Sequence, residues 1–320
     1  MIFPSLHSAR PDLYIVETPF QLLCAYEAIV YFRRPFKLCL RYSGVGRNDL
    51  QLQRLADELD LRPDCSLLIR KHRWQDFLKS APKYLLLAAR SYENVFIGSY
   101  YSNVLQVLSR LFRKNQLVLL DDGVATFLVQ DELQTKRRPT ALYTIFDIPP
   151  FGGQNITKNK FSALRRRYSI SKRDSIIFIG QELFSSESIS QEAYIKFISE
   201  LASSICSSLV YIAHRAEPLD VIERVEQIPN VTVVHPPMGI ELFFLKEAWQ
   251  PSTVISICST AIFSLSALFP ETRIQVLQPD EFDPTKFSHW PLIKRALLTL
   301  SNVEFQRVND LHDPSQKVAF

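Results

Sequence analysis

The sequence predicts an α/β fold made of two doubly wound domains. Short apolar runs alternate with amphipathic helical segments along most of the 320 residues. The apolar runs end in glycine or in polar residues, which is typical of parallel strands that are buried on both faces. A chain of this length fits two domains of about 150 residues each.

The first half of the chain shows this alternation from residue 13 to residue 120. Pro19 favours a helix start directly after the first strand. The predicted strands are 13–16, 37–42, 66–69, 94–98 and 117–120, and the predicted helices are 20–32, 49–61, 75–90 and 102–112.

The alternation stops between residues 131 and 173, where prolines, paired glycines and basic residues accumulate. We interpret this stretch as a basic linker and expect an N-terminal domain at 1–168 and a C-terminal domain at 169–320. Its charge favours attraction to an anionic substrate or to the inner face of a membrane, although a solvated loop explains it equally well.

The second half resumes the same pattern and contains no repeat of the first. The predicted strands are 175–180, 209–213, 231–234, 253–257 and 273–277, and the predicted helices are 190–203, 218–227, 240–248 and 261–269.

The composition excludes several classes of protein. A net charge of +4 is too small to indicate nucleic-acid binding by itself. Five scattered cysteines without a CxxC pair argue against a disulfide framework and a zinc site, and they fit a reducing cytoplasm. The first residues lack the features of a signal peptide, and no stretch reaches the ~18 apolar residues that a membrane span requires. We therefore expect a cytoplasmic protein.

Two adjacent carboxylates, Asp121 and Asp122, follow the predicted strand 117–120 and precede Gly123. Open α/β sheets bind ligands beyond the carboxyl ends of their strands, so these residues are the best general-base candidates. The alternative is a solvated turn, because Asp-Gly pairs favour turns. Adjacent residues of a strand point to opposite sides, so one carboxylate faces the ligand; the sequence does not decide which, and we assign the base to Asp121.

Histidines end two predicted strands of the second half. His214 is followed by Arg215, and this pair can bind a phosphate or protonate a leaving group. His235-Pro236 ends the next strand and is the competing candidate. For both histidines, packing at the edge of a sheet is the alternative interpretation.

A second polar group of the C-terminal half can bind a nucleotide. Ser259-Thr260 precedes an apolar helix, where hydroxyls and backbone N–H groups form a phosphate site, although a simple N-cap is the alternative. Glu241 can accept the hydroxyls of a ribose, or it is an acid favoured by the helix dipole. Gly180-Gln181 follows the strand 175–180 and is expected to face the ligand.

Several catalytic motifs do not occur in the sequence, among them GxxxxGK[ST], HExxH and GxSxG. The sequence shows no well-spaced metal-ligand cluster, and Asp121-Asp122-Gly123 is not a DxD motif. These observations favour a metal-independent site for a monophosphate donor, because a histidine, an arginine and a helix N-terminus can balance its charge.

These motifs resemble those of one family. Asp121-Asp122-Gly123 resembles the [DE]-[DE]-G motif of the bacterial sialyltransferases and polysialyltransferases, and Ser259-Thr260 resembles their paired hydroxyl motif in the same order. The opening LYIVETPFQLLCAYEAI is similar to their first strand and Pro-x-Gln turn. By strand order, the family's His-Pro motif corresponds to His214, with Arg215 where proline is usual, and the literal His235-Pro236 lies one strand later.

The resemblance, which extends to about residue 280, implies a GT-B-like fold in which two Rossmann-like domains face each other across a cleft. It implies an inverting glycosyltransferase that moves sialic acid from CMP-sialic acid to a hydroxyl of a surface glycan, without a metal or cofactor. Asp121 would be the base and His214 the acid, with CMP bound in the C-terminal domain. We expect acceptor contacts from the loop residues Gln21, Asn48 and Tyr100.

Three alternatives stay open after the sequence analysis. The donor can be another CMP-activated keto-acid sugar such as CMP-Kdo, or a nucleoside-diphosphate sugar. In a different class, the chain can be a non-catalytic glycan-assembly protein that keeps the fold. We expect no nucleic-acid partner, and peripheral association with the inner membrane follows from the basic stretch alone.

Overall fold

The structure is a computed structural model that describes residues 10–70, 73–205, 207–300 and 302–307. The prediction about a signal peptide depends mainly on residues 1–9, which lie outside the described residues. The chain divides into two compact units, Met1–Ala163 and Leu164–Phe320. Each unit is built on one parallel sheet.

The first unit contains a seven-stranded sheet in the order β3-β2-β1-β4-β5-β6-β7, and every neighbouring pair is parallel. Its strands are β1 Asp12–Val16, β2 Phe36–Tyr42, β3 Cys65–Leu68, β4 Ser91–Ile97, β5 Arg113–Leu120, β6 Ala141–Thr144 and β7 Ile156–Lys158. Its helices are α1 Pro19–Phe32, α2 Gly46–Glu58, α3 Trp74–Lys79, α4 Ala81–Ala88, α5 Asn103–Leu111 and α6 Ala125–Thr135.

Local sequence explains how α1 begins and ends. Thr18 is the N-cap residue and accepts a hydrogen bond from the backbone N–H of Gln21, while Pro19 occupies the first turn, where it needs no donor. Arg33 ends the helix in the left-handed conformation, with φ of 52°. The chain therefore leaves β1 and turns at once into a helix, which carries Gln21 over the end of the sheet.

The segment 75–90, predicted as one helix, forms the two short helices α3 and α4. They join at Ser80, and Pro82 lies in the first turn of α4. Proline cannot donate the hydrogen bond that a continuous helix would require, so the helix is interrupted there. The rings of Phe77 and Tyr84 lie 4.8 Å apart across the junction.

The second unit contains a six-stranded parallel sheet in the order β10-β9-β8-β11-β12-β13. Its strands are β8 Ser171–Ile179, β9 Leu209–Ile212, β10 Val231–Val234, β11 Trp249–Ser256, β12 Arg273–Gln278 and β13 Val303–Arg307. The helices are α7 Ser162–Tyr168, which spans the boundary of the units, then α8 Gln191–Ser204, α9 Leu219–Glu226, α10 Ile240–Lys246, α11 Ala261–Leu268 and α12 Trp290–Leu297.

The prediction of a linker at 131–173 is wrong in its structural content. This stretch contains β6 and β7, which extend the first sheet, and also α7 and the start of β8. β6 is fully buried, but no helix separates it from β7, so the strand–helix alternation on which the prediction depends is interrupted there. The basic side chains also have structural partners: Lys158 pairs with Asp147 at 2.7 Å, and Arg165 donates to the carbonyls of Ala267 and Leu268.

The predicted doubly wound class is confirmed. Both sheets have the first strand of the unit at their centre, and the next two strands lie on one side of it and the later ones on the other. Within the part of the chain that the structure describes, no helix is both long and apolar enough to cross a bilayer.

Candidate functional site

Each sheet has a switch point, at which the chain leaves two neighbouring strands in opposite directions. In the first unit the switch point lies between β1 and β4, and in the second it lies between β8 and β11. Ligands of doubly wound folds bind beyond the carboxyl ends of these strands. We call this side of each sheet its carboxyl edge, and most of the predicted site residues lie there.

Asp121 is completely buried directly after β5. One carboxylate oxygen accepts hydrogen bonds from the hydroxyls of Thr126 at 3.1 Å and Thr144 at 2.6 Å, and the other accepts from the backbone N–H of Ile145 at 2.6 Å. Burial raises the pKa of Asp121 to about 7, although these hydrogen bonds oppose the shift. Asp121 therefore connects the ends of β5 and β6 and presents no oxygen to solvent.

Asp122 is the more accessible of the two adjacent carboxylates. It is partly exposed, and its Oδ1 accepts a hydrogen bond from Nε2 of Gln21 at 3.0 Å. Gly123 follows in the left-handed region, with φ of 66°, which a side chain would disfavour. The turn directs the second carboxylate of the pair, and not the first, outward from the carboxyl edge.

Gln21 connects the end of β1 to the turn after β5. Its Oε1 accepts from the backbone N–H of Glu17 at 3.0 Å while its Nε2 donates to Asp122. The side chain is buried and crosses over Gly98, where an added Cβ would lie 2.1 Å from Oε1 of Gln21. Gly98 is therefore required so that Gln21 can reach Asp122, and Gln21 is a supporting residue of this edge.

Glu17 is a residue of the first edge that the sequence analysis missed. Its carboxylate pairs with Arg41 at 2.9 Å and accepts a hydrogen bond from Ser102 at 3.0 Å. Burial raises its pKa, Arg41 opposes this, and the nearby charge of Asp122 raises it further. The signal was present in the sequence, because Glu17 directly follows β1 just as Asp121 follows β5.

Asn48 and Tyr100, predicted to contact an acceptor, have partners within the first unit. Asn48 donates to the backbone carbonyl of Glu17 at 3.0 Å and so lies at the carboxyl edge. The hydroxyl of Tyr100 donates to Glu132 of α6 at 3.0 Å. Of these two residues, Asn48 is the one that forms a hydrogen bond with the residue directly after β1, a strand of the switch point.

Gln181 connects the ends of β8 and β11, the two strands at the switch point of the second unit. The residue is buried, and its Oε1 accepts hydrogen bonds from the backbone N–H of Cys258 at 2.9 Å and from the hydroxyl of Ser256 at 3.1 Å. Its predicted role as a residue facing a ligand does not match this burial. Gln181 instead fixes the end of β11 and the turn from which α11 starts.

His214 lies at the surface in the turn after β9. Its Nδ1 accepts a hydrogen bond from the backbone N–H of Ala216 at 3.3 Å, so the neutral ring carries its proton on Nε2. Desolvation of the imidazole lowers the pKa of His214, and the charge of Arg215 adds to this, while Glu182 opposes it. At neutral pH the ring is a neutral donor at the carboxyl edge.

A buried carboxylate, Glu217, holds this turn. It accepts hydrogen bonds from the backbone N–H of His214 at 2.5 Å, from the hydroxyl of Tyr211 and from that of Tyr194 at 3.4 Å. Burial raises the pKa of Glu217 to about 7 against these hydrogen bonds. A Cβ at Gly180 would lie 2.5 Å from Oε2 of Glu217 and 2.7 Å from the hydroxyl of Tyr211, so this glycine is needed to admit the cluster.

Ser259 and Thr260 lie between β11 and α11. The hydroxyl of Ser259 accepts from the backbone N–H of Ala261 at 3.3 Å, and its own N–H donates to Ser256 at 2.9 Å. Thr260 is exposed, and its side chain forms no capping hydrogen bond with the helix. The N-cap residue of α11 is therefore Thr260, whose hydroxyl does not cap the helix, while the Ser259 hydroxyl binds the first N–H of the helix from one residue earlier.

Glu241 lies in the first turn of α10 and is connected to α11. Its Oε1 accepts from the hydroxyl of Ser264 at 2.6 Å, and its Oε2 lies 3.6 Å from the position of a Cβ at Gly239. Burial raises the pKa of Glu241. The residue is thus near the start of α11, with one oxygen engaged and the other directed toward the loop that precedes α10.

His235 and Pro236 follow β10, the outermost strand of the second sheet. His235 is exposed and its Nε2 lies 3.4 Å from Glu226 of α9. Two strands separate it from β11, whereas His214 follows β9, beside β8. The structure therefore brings His214, and not His235, closer to the switch point in strand order.

The acidic, histidine and cysteine side chains of the described residues were compared with the arrangement that a metal ion requires. Among the described residues, no group of three or more histidine, cysteine, aspartate or glutamate side chains is placed to hold a metal ion. The first edge instead offers carboxylates and amides, and the second offers an imidazole, a guanidinium and hydroxyls.

No protein family model and no curated protein matches this sequence. Similar solved structures do exist. E. coli heptosyltransferase WaaC, solved with ADP, is 13% identical with a TM-score of 0.52, and the match covers 92% of this chain and 90% of that one. S. aureus MnaA, solved with UDP, is 10% identical with a TM-score of 0.52, covering 84% and 79%. A Listeria monocytogenes protein assigned as a UDP-N-acetylglucosamine 2-epimerase is 12% identical with a TM-score of 0.51 and the same coverage.

These similarities define the class of the fold. The two parallel-sheet α/β units of this chain match the GT-B fold, the architecture of a large group of glycosyltransferases. The same fold occurs in a heptosyltransferase and in a protein assigned as an epimerase, so the fold alone does not give the reaction.

Proposed function

We propose that this chain is a metal-independent, inverting glycosyltransferase that uses a nucleotide-activated sugar. In this proposal the first unit supplies the general base and the second unit binds the nucleotide. The observation that carries it is the arrangement after β5, where Asp121 is sealed inside the unit and Gln21 holds Asp122 at the carboxyl edge. A buried glutamine that positions a partly exposed carboxylate is what a general base requires.

Asp122 takes the role of base that the sequence analysis gave to Asp121. The carboxylate oxygens of Asp121 are enclosed and bound by hydrogen bonds, so that they cannot reach an acceptor hydroxyl without opening the end of β6. Asp122 is bound through one oxygen by Gln21, which leaves its Oδ2 to accept the proton.

The donor phosphate is assigned to the switch point of the second unit. The hydroxyl of Thr260 and the start of α11 provide hydrogen-bond donors at the end of β11. Nε2 of His214 and the guanidinium of Arg215 add a neutral donor and a positive charge. Because the pKa of His214 is lowered, its main role at neutral pH is donation of a hydrogen bond to the leaving phosphate.

Glu241 completes the proposed nucleotide site. Its Oε1 is held by Ser264 of α11, so the carboxylate is fixed relative to the helix that is assigned to the phosphate. A carboxylate accepts two hydroxyls at once and therefore suits the diol of a ribose.

The reaction then balances without a metal ion. Asp122 accepts the proton of the acceptor hydroxyl, and the oxygen forms a bond to the anomeric carbon of the sugar. The bond from that carbon to the phosphate oxygen breaks, and its electron pair stays on the nucleotide. Catalysis is mainly positioning and stabilisation of the charge on the leaving phosphate.

Two donors remain for this site. The [DE]-[DE]-G-like and paired hydroxyl motifs favour CMP-sialic acid, with a hydroxyl of a surface glycan as acceptor. The second candidate is a nucleoside-diphosphate sugar, which is favoured by the likeness to structures that contain ADP and UDP. We propose a cytoplasmic location with either donor, which the five scattered cysteines without a CxxC pair favour.

A donor panel tests the proposal. The full-length protein is titrated calorimetrically with CMP, UDP, ADP and GDP, and nucleotide release is then measured with the matching sugar donors, with and without EDTA. We expect one nucleotide to bind and its sugar donor to be consumed in EDTA. Binding of CMP favours sialic acid or another keto-acid sugar, and binding of UDP or ADP favours the second candidate.

Two results would contradict the proposed function. If a nucleotide binds but no sugar donor is transferred or hydrolysed, the chain is the non-catalytic protein that the sequence analysis kept as an alternative. Restoration of activity by Mn²⁺ or Mg²⁺ after EDTA would contradict the metal-independent mechanism.

A further inference from the structure

The helices α3, α4 and α5 expose an unusual amount of apolar surface. Five large apolar side chains on these short helices are more than two-fifths exposed: Leu78 (55%), Leu85 (56%), Leu86 (75%), Val107 (43%) and Leu111 (42%). We call the surface formed by these side chains the α3–α5 face. Exposed leucines are unremarkable one at a time, but their concentration on three neighbouring helices indicates an interaction surface.

These helices share one side of the first sheet. Their inward residues, among them Tyr84 and Leu105, belong to a single buried cluster with Ile15 of β1 and Leu67 of β3. An open groove of about 430 Å³ runs between α3 and α5, where Phe77, Leu78, Val104 and Val107 contribute its apolar lining. The exposed residues therefore lie on the outer side of helices whose inner sides share one buried cluster.

Every exposed charged side chain on these helices is positive. The cations of the helices and of the residues that flank them are Arg73, Lys79, Lys83, Arg90, Arg110 and Arg113. The one acidic residue in α3, α4 and α5 is Asp76, which is buried and bound by Arg70 through contacts of 2.7 and 2.9 Å. The face thus combines exposed leucines with a rim of positive charge.

The corresponding surface of the second unit is different. The helices that follow its third and fourth strands, as α3–α5 do in the first unit, are α10 and α11, and they carry one acid, Glu241, and one cation, Lys246. In its described part, the large apolar side chains that are strongly exposed are Leu219 and Leu298, which lie on different elements. The combination of leucines and cations is therefore a property of the first unit.

We propose that the α3–α5 face docks on an anionic phospholipid bilayer. The leucines would enter the boundary between headgroups and acyl chains, and the lysines and arginines would pair with the lipid phosphates. Charge complementarity selects this occupant. A second copy of the chain placed symmetrically on the same face would bring these cations against each other, which disfavours a dimer there.

This surface is distinct from the basic stretch 131–173 that first suggested a membrane. Several cations of that stretch have partners within the fold, such as Lys136 with Glu132 and Lys158 with Asp147. The leucines of α4 have no such role, because Leu85 and Leu86 are directed away from the core. The proposal does not depend on the nucleotide or on the reaction.

Flotation with lipid vesicles tests the proposal on the full chain. The vesicles are pure phosphatidylcholine, or equal parts of phosphatidylcholine and phosphatidylglycerol. We expect the protein to float with the anionic vesicles and to remain behind with the neutral ones. The variant Leu85→Ser/Leu86→Ser should lose about tenfold in partition, as should Lys79→Glu/Lys83→Glu.

Leu219→Ser is the matched control, because Leu219 is as exposed as Leu86 but lies on the second unit. It should float like the wild type, and circular dichroism should show that all variants are folded. The proposal is overturned if the wild type does not float with the anionic vesicles, or if the Leu85→Ser/Leu86→Ser variant floats with them to the same extent as the wild type. It is also overturned if light scattering shows a dimer that this variant separates, because the face would then bind a second copy.

Discussion

The two units have the same strand order around their switch points but different chemistry at their carboxyl edges. In each unit a buried glutamine close to the end of the first strand reaches across the sheet. Gln21 reaches a partly exposed carboxylate, Asp122, whereas Gln181 binds backbone and hydroxyl groups at the end of β11. A buried glutamine therefore positions the proposed base, Asp122, in the first unit and the start of a helix in the second.

Each unit also contains a buried carboxyl group near its carboxyl edge. Asp121 and Glu217 are both buried, and burial raises the pKa of each to about 7. Asp121 joins two strands, and Glu217 holds the turn that carries His214. The proposed base Asp122 thus directly follows a buried carboxyl group with a supporting role, and the following experiments separate the two roles.

The largest effect is expected for Asp122→Asn. Loss of a general base lowers kcat by about 10²–10⁴-fold, while nucleotide affinity should stay within about twofold because the nucleotide is assigned to the second unit. The measurement is single-turnover transfer together with calorimetric nucleotide binding. Asp121→Asn is the control: it should lower the melting temperature but leave kcat of the folded protein nearly unchanged. The reverse outcome would restore Asp121 as the base.

A smaller effect is expected for His214→Ala. Loss of one hydrogen bond to the leaving phosphate should lower kcat by about 10²-fold, in the range of other donors that stabilise a developing charge. His235→Ala, which removes an exposed histidine of the same unit, should behave like the wild type. If His235→Ala is inactive and His214→Ala is fully active, the assignment of the phosphate site is wrong.

Gly98→Ala tests whether Gln21 positions Asp122. The new methyl group would displace Gln21, at a cost of about 1–3 kcal/mol in the free energy of unfolding, as for other overpacked sites. We expect kcat to fall and nucleotide affinity to remain. In the double variant Gly98→Ala/Gln21→Ala the clash is absent, so stability should recover but kcat should not. Recovery of kcat together with stability would show that Gln21 has only a packing role.

The smallest effect concerns the dependence of stability on pH. The pKa of Glu217 is raised by burial from its ordinary value of 4.5 to about 7, so the folded protein binds more protons than the unfolded chain between these values. This contribution to stability is complete below pH 4.5 and is lost as the pH rises through about 7. Denaturant unfolding between pH 5 and 8 should therefore show a smaller decline in Glu217→Gln than in the wild type. An identical decline would contradict the shift.

The sequence predicts the fold better than it predicts the site. The strands around both switch points contain apolar runs that alternate with helices, so the pattern locates them, whereas β6 and β7 follow each other without a helix between them and do not continue the alternation. The predicted residue types at the edges are present, but their orientation depends on partners distant in sequence. Asp121 is buried by Thr144, and Asp122 is positioned by Gln21, 101 residues away.

The glutamines illustrate the same limit. Gln21 was predicted as an acceptor contact and Gln181 as a donor contact, but both bind other protein groups through their side chains. The two nearby glycines, Gly98 and Gly180, each follow an apolar run in the sequence, which gives no sign of the close contacts that they make. Glycine is needed at both positions because a Cβ would collide with a neighbouring side chain, Gln21 at Gly98 and Glu217 at Gly180. Such contacts are set by the tertiary structure and leave no local pattern.

The most direct test of the division between the units is hydrogen exchange measured by mass spectrometry with the nucleotide that the calorimetric panel selects. We predict that nucleotide protects the segments around His214, Glu241 and Ser259 in the second unit. The segments that contain Glu17, Gly98 and Asp122 should exchange at an unchanged rate. Protection confined to the first unit would contradict the assignment of base and nucleotide to separate units.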